Sequence, residues 1–250
     1  MKDRHFDELA TRFAAKIYGG AKGAIRLAVL QADLLERLPE RRLRVLDIGA
    51  GLGHMALWLA QQGHDVTLAE PARPMLDGAR ERFESAGQTA TFLHASWQQL
   101  PDLLDMPYDL VLCHAVLEWL AEPYAILPAL HQLTATDGHL SLAFYNRDAL
   151  VYRNLLKGHF RKLRGNDLAG EKQSLTPQMP LDPRELATQL EGHWHVQSQS
   201  GVRVFHDYMP APFQGRADMA DLIEMELAHR RHPAFAGLGR YLHWICCPAS

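Results

Sequence analysis

The chain has little cysteine, and what it has is poorly placed for a structural role. Its three cysteines, Cys113, Cys246 and Cys247, cannot build a disulfide framework, and an adjacent pair is neither a redox nor a zinc C-x-x-C spacing. All three are expected as reduced strand residues. Histidine does not fill the gap: His193-x-His195 alternates along a strand and His229-x-x-His232 has no third ligand nearby in sequence, so no metal is expected. No apolar run approaches the ~18 residues of a membrane span. Met1 to Phe13 alternates charged and apolar residues where a signal peptide would have an apolar centre, so a cytoplasmic chain without a membrane partner is expected. G-x-S-x-G and Walker A motifs are absent too, which excludes the best-marked nucleophile and nucleoside-triphosphate sites. A net charge of −3 excludes a chain that is basic throughout, but a local basic patch stays compatible with nucleic acid.

What is present is a core and a glycine loop. With 250 residues, 47% of them apolar and 22% charged, the chain is long enough to bury one large core. Leu43 to Ile48 is a β-branched and aliphatic run without alternation, the signature of a strand buried on both faces of a parallel sheet. It breaks into Gly49-Ala50-Gly51-Leu52-Gly53, and Met55 to Gln62 follows as a short apolar helix whose first amides point back at the loop. The pyrophosphate fingerprint G-x-G-x-x-G would need glycine where His54 stands. G-x-G-x-G preceded by the acid Asp47 instead resembles the loop of doubly wound S-adenosylmethionine-dependent methyltransferases. There it meets an aminocarboxypropyl tail in place of a pyrophosphate, and nearby acids can meet the ammonium.

The rest of the chain alternates around that loop. Helical stripes are expected over Asp3 to Ile17 and Ala24 to Leu38, the second carrying Arg26, which suits either a solvated surface or a cofactor carboxylate beneath an N-terminal helical cap spanning residues 1–40. Asp65 to Ala69 is a second strand ending in Glu70, roughly 20 residues beyond the glycines and placed to accept hydrogen bonds from both ribose hydroxyls. Helix Arg73 to Ser85 and strand Thr91 to His94 lead to Trp97 and Gln98, at the strand edge where open α/β sheets hold ligands. Trp97 fits an adenine-flanking or a core role, and Gln98 would hydrogen-bond the adenine edge. Strand Tyr108 to Cys113 ends at His114, which either contacts the ligand or merely closes the strand. Helix Tyr124 to Leu133, a turn at Asp137-Gly138 and strand His139 to Tyr145 complete a regular β-α series, which points to a doubly wound Rossmann-like sheet.

Residues 147–183 interrupt the alternation with Arg147, Arg153, Lys157, His159, Arg161, Lys162, Arg164 and Lys172. This basic insert after the fifth strand is read as a mobile segment over the active site, a position where substrate lids sit, against the plainer alternative of a solvated helix. Helix Pro183 to Glu191, a strand from Trp194 toward Val204, helix Ala217 to Arg230 and a last strand Gly239 to Cys246 close the chain, with a polar and aromatic group, Gly201 to Tyr208, at a strand end.

Lys16-Ile17-Tyr18-Gly19, Arg26, the Leu43 to Asp47 strand, His114-Ala115-Val116-Leu117-Glu118-Trp119, Phe144-Tyr145-Asn146, Gly201 to Tyr208 and Gly239-Arg240-Tyr241 together resemble the bacterial tRNA 5-carboxymethoxyuridine methyltransferases across nearly the whole chain. The resemblance implies S-adenosylmethionine as cofactor, tRNA as partner, and methyl transfer to the carboxylate of wobble 5-carboxymethoxyuridine. It implies cofactor contacts at Arg26, Gly49, Ala50, Glu70, Trp97, Gln98 and His114, with Asp47 and Gly51 completing the loop. Glu70 departs from the family's expected aspartate by one methylene. The acceptor carboxylate is assigned to Arg203, helped by Tyr208 or Tyr145, because a guanidinium fork fixes a carboxylate's plane as well as its charge. The competing readings are a small-molecule carboxyl or hydroxyl methyltransferase with the insert as a closing lid, and a non-catalytic module holding S-adenosylmethionine as a structural ligand.

Overall fold

A computed structural model describes residues 20–165, 168, 177 and 179–249. The helix expected over Asp3 to Ile17 and the basic residue Lys172 lie outside that set. The described chain builds a seven-stranded sheet in the order β3-β2-β1-β4-β5-β7-β6. Its strands are β1 Arg44–Ile48, β2 Asp65–Ala69, β3 Thr91–Leu93, β4 Tyr108–His114, β5 Thr134–Tyr145, β6 Trp194–Val202 and β7 Tyr241–Pro248. β1 to β5 run parallel, whereas β7 is antiparallel to both β5 and β6. Because the strands buried on both faces are uniformly apolar, each face carries its own core. Leu46, Ile48, Val111, Cys113, Leu142 and Phe144 face one layer. Val45, Leu68, Leu110, Leu112 and Ala143 face the other.

Helix α1, Ala21–Leu35, belongs to the second layer. Ile25, Val29, Leu30 and Leu34 repeat at helical spacing and are buried, but the same stripe carries Arg26 and Asp33, also buried. The helix begins and ends earlier than its apolar pattern suggested. Gly20, at φ 75°, breaks the chain just before Ala21, and Glu36 caps the last turn. Helices α2 His54–Gln61 and α3 Arg73–Ser85 lie close to the spans expected of them. Strand β5 differs from expectation at its start. It begins at Thr134 opposite Tyr108 and regains register at His139 opposite Leu110, so the expected turn at Asp137-Gly138 is a bulge inside the strand.

Beyond β5, α6 Arg147–Leu156 and α7 Phe160–Arg164 form the described part of the basic segment, and α8 Pro183–Leu190 returns to the sheet. The short helices α4 Leu100–Leu103 and α5 Leu127–Leu133 precede them, and α9 Ala211–Gln214 and α10 Met219–His229 follow β6. No described helix is long and apolar enough to cross a membrane.

The third glycine of the loop explains why His54 suffices where dinucleotide folds place glycine. Gly53 sits at φ 68°, and a Cβ there would lie 2.8 Å from Leu68 Cδ2 and 3.3 Å from the Ala79 Cβ. The close packing of loop against β2 and α3 therefore falls on Gly53. Gly53→Ala combines left-handed strain with overpacking, together about 2 kcal/mol or more. Thermal denaturation should show Tm lowered by roughly 4–8 °C; an unchanged Tm would mean that the loop yields freely.

Candidate active site

The carboxyl ends of β1, β2 and β4 converge on the glycine loop, as the doubly wound topology requires. Arg26, Asp47, Gly49, Ala50 and His114 line one cleft together with Met55 and two leucines of α1. Five of the residues expected at a cofactor site are thus brought together. Glu70 supports the loop from the other side: its carboxylate accepts the Gly51 amide at 2.9 Å and the Ala72 amide at 2.9 Å. It is buried, and these two bonds tie the loop to the end of β2. Trp97 and Gln98 open a 3₁₀ turn after β3, held by a Ser96–Gln99 capping box. Trp97 packs against the first core layer while its buried indole N–H has no partner among the described residues, so both readings of this residue have support.

The electrostatics of the cleft are set by burial. Asp47 is desolvated and faces Glu70, which together push its carboxyl up to about 8 despite the opposing Arg26. Glu118, also fully buried, is raised to about 7 by desolvation, again with Arg26 opposing. Burial keeps His114 well below the usual histidine range, and the Arg26 charge pushes in the same direction.

A second cluster lies beside the first; Arg203, Tyr145 and Tyr208 were expected in it, whereas Asp207, Arg240 and Tyr241 had been given no role. Tyr241, the first residue of β7, is flanked by the Arg26 guanidinium at 4.8 Å from its ring centre and by Arg203 at 5.6 Å. Arg240 lies 4.7 Å over the ring of Tyr145, and the two tyrosine rings meet edge-on at 5.3 Å. Asp207 stands between the guanidiniums, 3.6 Å from Arg203 and 3.7 Å from Arg240. Burial alone would raise its carboxyl, but His206, Arg203 and Arg240 hold it below the normal carboxylate range. Arg203 Nε, Arg240 Nη1 and the Tyr145 hydroxyl are buried without a partner among the described residues. Tyr208 is committed differently: its hydroxyl donates to the Leu238 carbonyl at 2.7 Å and lies 3.3 Å from that of Ala149.

Backbone contacts far apart in sequence build this cluster. A Cβ on Gly201 would lie 2.3 Å from the Ala236 carbonyl, and one on Gly239 would lie 2.5 Å from Gly201 Cα, so the end of β6 touches the chain before β7. Asn146, buried at the end of β5, donates to the Gly237 and Gly239 carbonyls and pins that crossing. Glu226 of α10 accepts the Val204 and His206 amides and fixes the turn that follows Arg203. Arg203 itself sits at φ 61°, an uncommon backbone conformation for a side chain of its size. Gly239-Arg240-Tyr241 was visible as a motif, but only this crossing shows why arginine and tyrosine stand there. Among the described residues no three His, Cys, Asp or Glu side chains converge on a metal site.

A sheet of this order with a reversed β7, a glycine loop after β1 and an acid after β2 defines the methyltransferase class. The sequence model of the family described as Methyltransferase domain matches residues 46–142. The magnesium protoporphyrin IX methyltransferase from Synechocystis PCC 6803, solved with bound SAH, shares the fold. It superposes at TM-score 0.65 over 98% of this chain and 96% of its own, at 17% identity. A plantazolicin methyltransferase in complex with a triazolic desmethylPZN analog and SAH superposes at 0.61 over 96% and 90%, at 14% identity. In sequence, the tRNA 5-carboxymethoxyuridine methyltransferase of Escherichia coli (strain K12) is 38% identical over 97% of this chain and 95% of its own. The Ubiquinone biosynthesis O-methyltransferase of Pectobacterium atrosepticum is 30% identical, but over 44% of this chain and 45% of its own. The chain belongs to the tRNA 5-carboxymethoxyuridine methyltransferase family.

The raised Asp47 carboxyl has a consequence for stability. An ordinary aspartate ionises near ~3.9, so Asp47, at about 8 in the folded chain, contributes full stability only below the lower value, and that contribution is lost as pH rises through the higher one. Asp47→Asn should therefore be more stable than wild type at neutral pH, with a gap that widens between pH ~4 and ~8 and is constant above. Urea denaturation across that range measures it; a gap independent of pH would mean that Asp47 is ionised throughout.

Proposed function

We propose that the protein transfers a methyl group from S-adenosylmethionine to the carboxylate of 5-carboxymethoxyuridine in tRNA, giving the methyl ester. The observation that carries this reading is the second cluster: two buried guanidiniums share one aspartate, which leaves one unit of positive charge among the three and two donor groups without a partner among the described residues. A single carboxylate completes that balance, as the family's substrate would, whereas a neutral hydroxyl acceptor would leave it incomplete. Nucleoside mass spectrometry of tRNA carrying 5-carboxymethoxyuridine, incubated with purified protein and cofactor, tests the assignment.

The cofactor's requirements fit the residues present. Gly49 and Ala50 line the cleft, a Cβ on Gly49 would lie 2.6 Å from Val116 Cγ2, and the Trp97 indole N–H awaits an acceptor. In this reading Glu70 accepts the ribose hydroxyls, Trp97 and Gln98 bound the adenine, Asp47 faces the ammonium and Arg26 the carboxylate of the methionine portion. Bound S-adenosylmethionine supplies an electrophilic methyl group on a positively charged sulfur. The chain's own part is positioning. A carboxylate acceptor, ionised above ~4, brings its own lone pair, so no side chain has to remove a proton. Arg203 and Arg240 hold its plane, Tyr145 donates to one oxygen, and Asp207 keeps the guanidiniums oriented. Tyr208 holds the Leu238 carbonyl and so the loop on which Arg240 stands. Tyr241, between Arg26 and Arg203, separates cofactor carboxylate from acceptor carboxylate.

The nucleic-acid partner is supported by the surface alongside. α6 and α7 expose Tyr152, Leu155, Leu156 and Phe160. Lys157, Arg161, Lys162 and Arg164 are exposed among them. Tyr152 meets Tyr208 at 5.2 Å, so this basic and aromatic surface runs into the acceptor cluster, an arrangement suited to stacking bases and pairing phosphates. A small-molecule enzyme would instead need a closed apolar lid.

Two measurements examine this reading. Arg203→Lys keeps the charge but loses the planar fork, and methyl-ester formation should fall roughly 10–100-fold in kcat/KM, with no ionisation near pH ~6.5 that His114→Ala removes. A near-normal rate for Arg203→Lys would take the acceptor away from this cluster. Neutralising Arg161, Lys162 and Arg164 together should reduce the slope of log affinity for tRNA against log salt by roughly 2. An unchanged slope would place the RNA elsewhere.

A further inference from the structure

A buried file of polar side chains crosses the sheet from the cleft to α1, and beyond its first member, His114, neither the cofactor nor the acceptor reading uses it. His114 on β4, Ala143 on β5, His243 on β7 and Ser200 on β6 stand in one register row across four strands. Ser141 precedes Ala143 by two residues and so faces the same side. Because Ala143 is small, the two imidazoles approach over it, with ring centres 5.6 Å apart and planes at 89°. His114 Nε2 lies 2.8 Å from Ser141 Oγ, and that oxygen lies 2.8 Å from His243 Nε2. His243 Nδ1 lies 2.8 Å from Asp33 Oδ2 on α1. Asp33, Ser141, Ser200 and His243 are each no more than 1% exposed.

Hydrogen-bond directions along this file are determined from its far end. Asp33 accepts from Ser200 Oγ, Arg230 Nε and Arg231 Nη2, at 2.9, 2.9 and 2.7 Å. Burial would raise its carboxyl, but His243, Arg230 and Ser200 hold it down at about 2, so it is ionised and can only accept. His243 must then carry its proton on Nδ1, and its Nε2 accepts from the Ser141 hydroxyl. The Ser141 oxygen, its proton so directed, accepts from His114 Nε2–H. A second proton on His243 would leave the bond to Asp33 as it is and reverse the two beyond it, to Ser141 and His114, but Arg230 and Arg231 already balance Asp33 and Glu36 in this network. That proton would add an uncompensated buried charge.

We propose that Asp33, His243 and Ser141 are positioning residues that hold His114 in its Nε2–H tautomer, so that Nδ1 presents a lone pair to the cleft. The ring thereby offers an acceptor in the cleft that Arg26 also lines. A ligand group that is cationic or carries an N–H is favoured there over a neutral one. On the reading of the cleft as the S-adenosylmethionine site, this favours the sulfonium cofactor over its neutral thioether product, S-adenosylhomocysteine.

The test is direct. In ligand-free protein labelled with ¹⁵N-histidine, long-range ¹H–¹⁵N spectra should show a pyridine-type Nδ1 and a pyrrole-type Nε2 for His114. Ser141→Ala cuts the file, and Asp33→Asn lets an amide N–H donate to His243 and drive the bonds the other way. Both should move His114 toward the Nδ1–H form and reduce the preference for the sulfonium compound, the Kd of S-adenosylhomocysteine over that of S-adenosylmethionine, by about 10-fold, the loss of one ion–dipole contact of about a hydrogen bond's net size. Protonation of His114 on Nδ1 in wild type overturns the proposal even if neither variant folds. So does an unchanged tautomer and Kd ratio in a folded Ser141→Ala protein. Failure of both compounds to bind wild type would overturn the reading of the cleft instead, and the spectra would still decide the tautomer.

Discussion

The reversal of β7 is the constraint on which the rest of this molecule depends. Five parallel strands deliver their carboxyl ends to one edge, and in a wholly parallel sheet the beginnings of further strands would all lie at the opposite edge. Because β7 runs antiparallel between β5 and β6, its first residues arrive at the ligand edge. Arg240 and Tyr241 therefore stand beside Tyr145, and His243 lies two residues farther in, level with His114. The contact between Gly201 and Gly239 and the Asn146 amide hold the strand's entry in place. Without that entry the parallel half would retain a glycine loop and an acid but have no second cluster beside them.

Buried charge is the other organising feature, and it is handled differently at three places. At Asp33 two arginines outside the sheet neutralise a carboxylate that is fully hydrogen bonded, so the group anchors α1 to β6 and β7. At Asp47 the compensation is incomplete and the carboxyl is driven upward by burial and by Glu70. At Asp207 positive charge is in excess. The first arrangement is structural, and the other two are poised for a ligand of opposite sign, which is how a site stores recognition at a cost to stability.

Much of this was legible in the sequence. The strands were readable because a strand buried on both faces carries few polar residues, and β2 spans the Asp65 to Ala69 expected of it. The glycine loop and Glu70 followed from local spacing, whereas a place for Arg26 and His114 beside Asp47, Gly49 and Ala50 was implied by the family resemblance. The start of β5 did not, because a bulge looks like the turn residues Asp137-Gly138 and only the partner strand reveals that pairing continues. Asp207 between two arginines was hidden for another reason: its partners are Arg203, four residues away, and Arg240, which only a backbone crossing brings near. Ser141 and His243 read as ordinary strand residues, since sequence periodicity distinguishes faces of a sheet but not neighbours across strands.

The single unit of excess positive charge around Asp207 also bears on turnover. A carboxylate that becomes a methyl ester loses its charge, so the group that completed the balance in the Arg203 and Arg240 cluster no longer does so once it has reacted. The pocket then holds two guanidiniums and one aspartate around a neutral ester, a state no better compensated than before the substrate entered. On the proposed reaction, discrimination and release thus come from the same ions: the site grips what still bears a charge and relaxes its hold on what has been esterified.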